Sequence, residues 1–159
     1  MHWLKSRNVS PSGLGVDCPL WWSSSGSGDR QADRWLRQIY KTSSVLTTNS
    51  LQGAVLIQGV MLAYRAQQSF GEINLTETHP KVLGRALKLD ENWDNTANRF
   101  KLIGPKPLRE HQRDAILSAV AAREGFSGRW THDLAMERTQ AELDPARMWF
   151  GKVHYWWPE

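Results

Sequence analysis

Apolar and polar positions change period along this chain, and those changes mark its elements. Leu14 to Leu20 is a short apolar run bounded by Gly13 and Pro19, the pattern of a strand buried on both faces in a parallel sheet. Ser23 to Gly28 reads as a loop, and from Asp29 to Tyr40 the apolar residues Ala32, Trp35, Leu36 and Ile39 recur at helical spacing. A Thr/Ser/Asn-rich loop spans Thr42 to Ser50. A second helix is expected from about Leu51 to Gln68 and should pack on the sheet. One of its faces carries Leu51, Val55, Gln58, Leu62 and Arg65, and the neighbouring one Ala54, Ile57, Met61 and Tyr64. After Gly71 the period becomes two: Ile73, Leu75 and Glu77 share one side of a strand that His79-Pro80 ends.

A helix from Pro80 to about Leu89 is expected next, followed by a polar connection over 90–108 in which Gly104-Pro-Lys-Pro107 stops regular structure. Another helix begins near Arg109 or Glu110 and ends at Arg123 or Glu124, with Gly125 as its stop. Thr131 is the expected N-cap of a last helix reaching Leu143, which Asp144-Pro145 terminates. The tail from Lys152 to Pro158 alternates weakly, as an edge strand does. Strand, helices, strand, helix, helix is an α/β order. The 159 residues, 40% hydrophobic, suit one domain, with residues 1–13 as a polar leader and a core over about 14–143.

Composition narrows the partners. The formal charge of +4 makes acidic partners plausible, nucleic acid above all, yet lies within the range of ordinary soluble proteins. One cysteine, Cys18, excludes an intramolecular disulfide framework and a Cys-rich zinc module, which points to a reducing cytoplasmic setting and a small buried core residue. The N-terminus lacks an apolar signal-peptide region, and no stretch reaches the length of a membrane span. Nine tryptophans, among them the pairs Trp21-Trp22 and Trp156-Trp157, either stack bases and sugars or fill the core and its edges. They are not interleaved with a dense Lys/Arg run, so the second reading is the simpler.

Three carboxylates stand where acids are out of place. Asp17 interrupts the first apolar run, Glu77 replaces an apolar residue at a strand's carboxyl end, and Asp114 opens the inner face of a late helix. Acids so placed gather a divalent-metal or acid/base site in α/β proteins. The plainer alternative has Asp17 capping a turn, Glu77 pairing with an arginine and Asp114 complementing a helix dipole. Arg30, Arg34 and Arg37 form a basic stripe, facing phosphates or paired with Asp29 and Asp33. His79 beside Glu77 either ligates a metal or orients a substrate, or it is structural.

Taken together, four fragments resemble one family: Gly15-Val-Asp17-Cys-Pro-Leu20, then Arg30-Gln-Ala-Asp33-Arg-Trp-Leu-Arg37, then Thr76-Glu77-Thr-His-Pro80, then His111-Gln-Arg-Asp114-Ala-Ile-Leu-Ser-Ala-Val120. Over residues 14–124 the chain is similar to the DUF429 family of predicted nucleases. The resemblance implies a ribonuclease H-like mixed sheet flanked by helices, with Asp17, Glu77 and Asp114 as catalytic metal ligands for Mg²⁺ or Mn²⁺. On that reading Arg30, Arg34 and Lys106 contact nucleic-acid phosphates.

The chain departs from the family pattern at its start, where thirteen residues leave no room for the initial strands that carry a further aspartate. Three acids then suffice for one cation rather than a two-metal centre. The missing strands also leave a sheet edge that another chain could cover, so a homo-oligomer is expected. Two alternatives remain open: a catalytically inactive nucleic-acid binding module of the same fold, and a small-ligand binder built around the tryptophans.

Overall fold

Asn74–Glu77 forms the central strand of the molecule, and its burial follows from its neighbours on both edges. In the computed structural model, which describes residues 4, 6–43, 45, 53–89, 92–142 and 151–159, Gly13–Val16 (β1) lies parallel to Asn74–Glu77 (β2), with Gly13 opposite Asn74 and Val16 opposite Glu77. Val153–His154 (β4) pairs parallel to the other edge of β2. The order is β1-β2-β4. A second, two-stranded antiparallel pair joins His132–Asp133 (β3) to Trp156–Trp157 (β5). The chain is therefore a mixed α/β protein with a small parallel sheet, as the alternating order of strands and helices predicts. The weakly alternating tail divides between both sheets.

Helices cover the sheet. Gln31–Tyr40 (α1) buries Ala32, Asp33 and Leu36 and ends where Lys41 turns to φ 46°. Gly53–Phe70 (α2), Pro80–Ala86 (α3), Trp93–Phe100 (α4) and Glu110–Phe126 (α5) follow. Proline occupies the first position of α3, where its missing N–H leaves no bond unmade. The Gln112 side chain accepts the N–H groups of Leu108 and Arg109 ahead of α5, satisfying donors that the helix itself cannot. The core joins Leu20, Trp21, Leu36, Leu75, Val82, Leu83, Leu134 and Tyr155, all with 0–1% exposure.

Four expectations need correction. Residues 90–108 are not only a polar connection: α4 forms there because Trp93, Thr96 and Phe100 fall on one buried face, and Asn92 caps it by accepting the Asp94 N–H at 3.0 Å. No helix starts at Thr131. Its hydroxyl bonds to Glu159, while Asp133 accepts the Ala135 N–H and opens a 3₁₀ turn over Leu134–Glu137. The expected end of that helix at Leu143 and its stop at Asp144-Pro145 lie outside the described residues. Gly125 is not the stop of α5 but lies within it, one residue before its end, where a Cβ would run into the indole of Trp156.

The fourth correction concerns α2. Neither apolar face read from the sequence packs on the sheet, and the buried stripe is instead Gly59, Ala63 and Ala66. A Cβ at Gly59 would collide with the Cys18 side chain, so the helix approaches the sheet through its smallest residues. Val55, Ile57, Met61, Leu62 and Tyr64 stay 39–65% exposed. The expected start of this helix at Leu51 lies outside the described residues.

Candidate functional site

Parallel strands deliver their following residues to one end of the sheet, and here β1 and β2 deliver Asp17 and His79 to the same crevice. Ligands of open α/β sheets bind at this carboxyl end. α5 runs antiparallel to β1: Phe126 lies beside Gly13, Ser118 packs on Gly15, and the helix start brings Asp114 toward Asp17. Glycine at 15 is required, because a Cβ would run into the Ser118 carbonyl. Thr78 and Ser118 hydroxyls, 2.7 Å apart, tie β2 to the same helix.

Asp17 and Asp114 form the open half of the site. Asp17 lines both a groove of about 870 Å³ along β1 and a cleft of about 100 Å³ that also touches Glu77, Thr78 and His79. Crowding by the crevice walls raises the Asp17 carboxyl above its ordinary value; His79 opposes this, Asp114 adds to it and Lys81 opposes it. Asp114 is likewise raised by partial burial and by Glu110, against Lys81, His111 and Arg113. For both acids burial is the largest cause, and the basic side chains around them offset it only in part. Lys81 itself is exposed and paired with Glu110 at 2.9 Å.

Glu77 belongs to a different, closed arrangement. Arg30 Nη2 donates to its Oε1 at 2.6 Å, Arg30 Nη1 to its Oε2 at 2.8 Å, and the Leu20 N–H to Oε2 at 2.8 Å. The same guanidinium donates twice to Asp33, at 2.8 Å each, and once to the Trp21 carbonyl at 3.2 Å. It lies 4.3 Å over the Trp21 ring. Arg30, Glu77 and Asp33 are 1%, 2% and 3% exposed. Two carboxylates share one buried cation, so burial raises Glu77 even against Arg30, while Glu77 and Asp33 outweigh burial and hold Arg30 well above its ordinary value.

The structure therefore brings together Asp17 and Asp114 and sets Glu77 apart as a structural acid. The arginine pairing named as the plainer alternative for Glu77 is the arrangement found. Arg30 is not a phosphate contact, because its donors are consumed in the interior. The basic stripe does not form: Arg34 is exposed and bonds Gln31 at 3.0 Å, whereas Arg37 bonds Asp29 and the Val45 carbonyl. Lys106 is exposed in the connection between α4 and α5. Among the described residues no group of three or more His, Cys, Asp or Glu side chains stands close enough to hold a metal.

Cys18 is a core residue, as expected. Its thiol donates to the Val55 carbonyl at 3.2 Å, and burial, with Glu77 adding to it, pushes its pKa up to about 12. Trp21, Trp93, Trp130 and Trp157 are 0–9% exposed, so most of the described indoles fill the core, while Trp22, Trp35 and Trp156 are half-buried. One polar pair carried no sequence signal: Asp133 accepts from His154 Nδ1 at 2.7 Å and from the Tyr155 and Ala135 N–H groups. Burial raises Asp133, but these three bonds outweigh it and hold the carboxyl below its usual value. The pair meets because β3 pairs with β5, which directly follows β4 and Tyr155 and so brings His154 to Asp133 across 21 residues of sequence. No helix among the described residues is long and apolar enough to cross a membrane. Compared with known proteins, the chain matches no family model, no curated protein and no solved structure.

Proposed function

We propose that this is a nuclease-like protein directed at phosphodiesters, with a ribonuclease H-like arrangement of β1, β2, β4 and α5, in which Asp17 and Asp114 hold one divalent cation. The observation that carries the reading is the pairing of two carboxylates, each raised by its surroundings, at the carboxyl end of parallel strands. Mg²⁺ is held by one or two carboxylates together with waters and substrate phosphates, and this donor set fits one such ion. It does not fit two, since Glu77 is committed to Arg30. The cation would neutralise a bound phosphate and polarise its oxygen. Asp17 and Asp114 would supply the negative charge that holds the cation.

Calorimetric titration of Mn²⁺ into wild type, Asp17→Asn and Asp114→Asn tests the site. Binding in the micromolar to millimolar range, lost in both variants, supports it; equal binding by all three, or none by wild type, refutes it. Anisotropy of a labelled single-stranded oligonucleotide with Mn²⁺ and with EDTA tests the ligand class. The commitment of Glu77 to Arg30 favours a second reading, a metal-independent nucleic-acid binding module. It predicts salt-sensitive, EDTA-insensitive binding and no cleavage.

A further inference from the structure

β1 is the outermost strand of its sheet, and among the described residues it pairs with β2 alone. The Ser12 and Val16 carbonyls accept from Asn74 and Thr78 at 3.3 and 2.9 Å. Ser12, Leu14 and Val16 therefore turn their backbone groups toward β2. Alternation along a strand then aims those of Gly13 and Gly15, and the Asp17 N–H, at the opposite side. That side is the groove of about 870 Å³, whose floor is the strand itself. Val55 and Leu62 of α2 form one wall, and Ala115, Ala119 and Ala122 of α5 the other. A row of backbone donors and acceptors between two apolar walls is a template for one more strand.

A second copy pairing through its own β1 does not fit this groove. α5 lies directly over β1, with its backbone against Gly15, and α2 touches Cys18 through Gly59 on the other face. Paired strands stand about 4.8 Å apart, whereas packed helices need about 8–10 Å between axes. Two copies joined edge to edge would drive α5 into its mate. The walls admit a single extended segment without helices of its own. Charge along the groove orients it: the carboxylates Asp17 and Asp114 lie at one end, while Arg123, toward the other end, is already paired with Glu124 and the Phe100 carbonyl.

We propose that this groove accepts one extended strand of a partner polypeptide by β-strand addition. The strand presents small side chains to the alanines of α5 and branched aliphatic ones to Val55 and Leu62. A Lys or Arg lies at its end near Asp17 and Asp114. This goes beyond the cation reading and does not depend on it, so the experiment is run in EDTA. It also replaces the homo-oligomer expected from the exposed edge.

Random octapeptides displayed on phage are selected against the full chain, and the enriched peptides are measured by anisotropy on wild type, Ala119→Trp and Leu62→Glu. Ala119 and Leu62 are solvent-exposed, so both variants should fold. The expected result is an alternating consensus with one basic end and at least about tenfold weaker binding to both variants. Amide exchange should slow at Gly13, Gly15 and Asp17 when peptide binds. Selection against Asp17→Lys should exchange the basic end for an acidic one. Failure to enrich any peptide, unchanged affinity in both variants, or a concentration-dependent dimer that protects the same amides would overturn the proposal.

Discussion

Two carboxylate pairs lie within one short stretch of this fold and have opposite fates. Glu77 and Asp33 are sealed around Arg30, and every guanidinium nitrogen is engaged there. Asp17 and Asp114 face a crevice, and Lys81, which acts on both, is exposed and already paired with Glu110. The difference separates acids that hold the structure from acids that strain it. A buried ion pair, once formed, is costly to break from one side, because the remaining charge is stranded. Crowded acids at a surface cleft lower stability and keep the capacity to bind a cation.

The strongest way to break the comparison is Glu77→Gln. It leaves Arg30 short of a counter-charge, and urea denaturation should show a loss of about 3–5 kcal/mol. A loss below about 1 kcal/mol would mean that Asp33 alone satisfies the guanidinium, and the sealed pair would no longer be distinct. The Asp133 carboxylate, held by three hydrogen bonds, should behave similarly on a smaller scale: Asp133→Asn should cost roughly 1.5–3 kcal/mol at neutral pH. Its folded pKa is depressed, so its contribution is complete above the unfolded value near 3.9 and disappears as pH falls through the folded one. Wild type and variant should therefore converge in strong acid, and a gap that persists there would assign the loss to packing.

Asp17→Asn should act in the opposite direction. A raised folded pKa means that the ionised carboxylate opposes folding above the unfolded value, and that this penalty fades as pH falls. At neutral pH the variant should be as stable as wild type or up to about 0.5 kcal/mol more so, the range of surface substitutions, while Mn²⁺ binding is lost. Destabilisation would move Asp17 into the structural class with Glu77. The smallest signal is chemical. With its pKa near 12, Cys18 should resist Ellman's reagent at pH 8 in the native state and react once urea unfolds the chain. Reaction in the native state would place the cleft beside Asp17 open to solvent down to the sulfur.

The hydrophobic pattern made β1, α1, β2 and α5 legible, since each carries its period on its own residues. Composition alone pointed to Cys18 as a core thiol, and Asp17 and Asp114 stood out as acids against an apolar background. The fates of Arg30 and Glu77 were not legible in the same way. Both readings of Glu77, metal ligand and arginine partner, agree with the same local sequence, and 47 residues separate it from Arg30. α2 misled for a related reason: its abundant large apolar residues suggested the packing face, whereas the sheet is approached through Gly59, Ala63 and Ala66.

Local periodicity is a property of consecutive residues, so the sequence by itself determined β1, α1, β2, α3 and α5 and which acids are anomalous, while α4 and the 3₁₀ turn after Thr131 escaped it. Charge pairing, close approach and edge exposure depend on which elements become neighbours. Only the tertiary structure decided that Arg30 neutralises Glu77 rather than Asp17, that α5 lies over β1 at Gly15, and that, among the described residues, one edge of β1 is left along a groove between α2 and α5. An acid's role is set by the nearest positive charge, and in this fold that charge arrives from elsewhere in the chain.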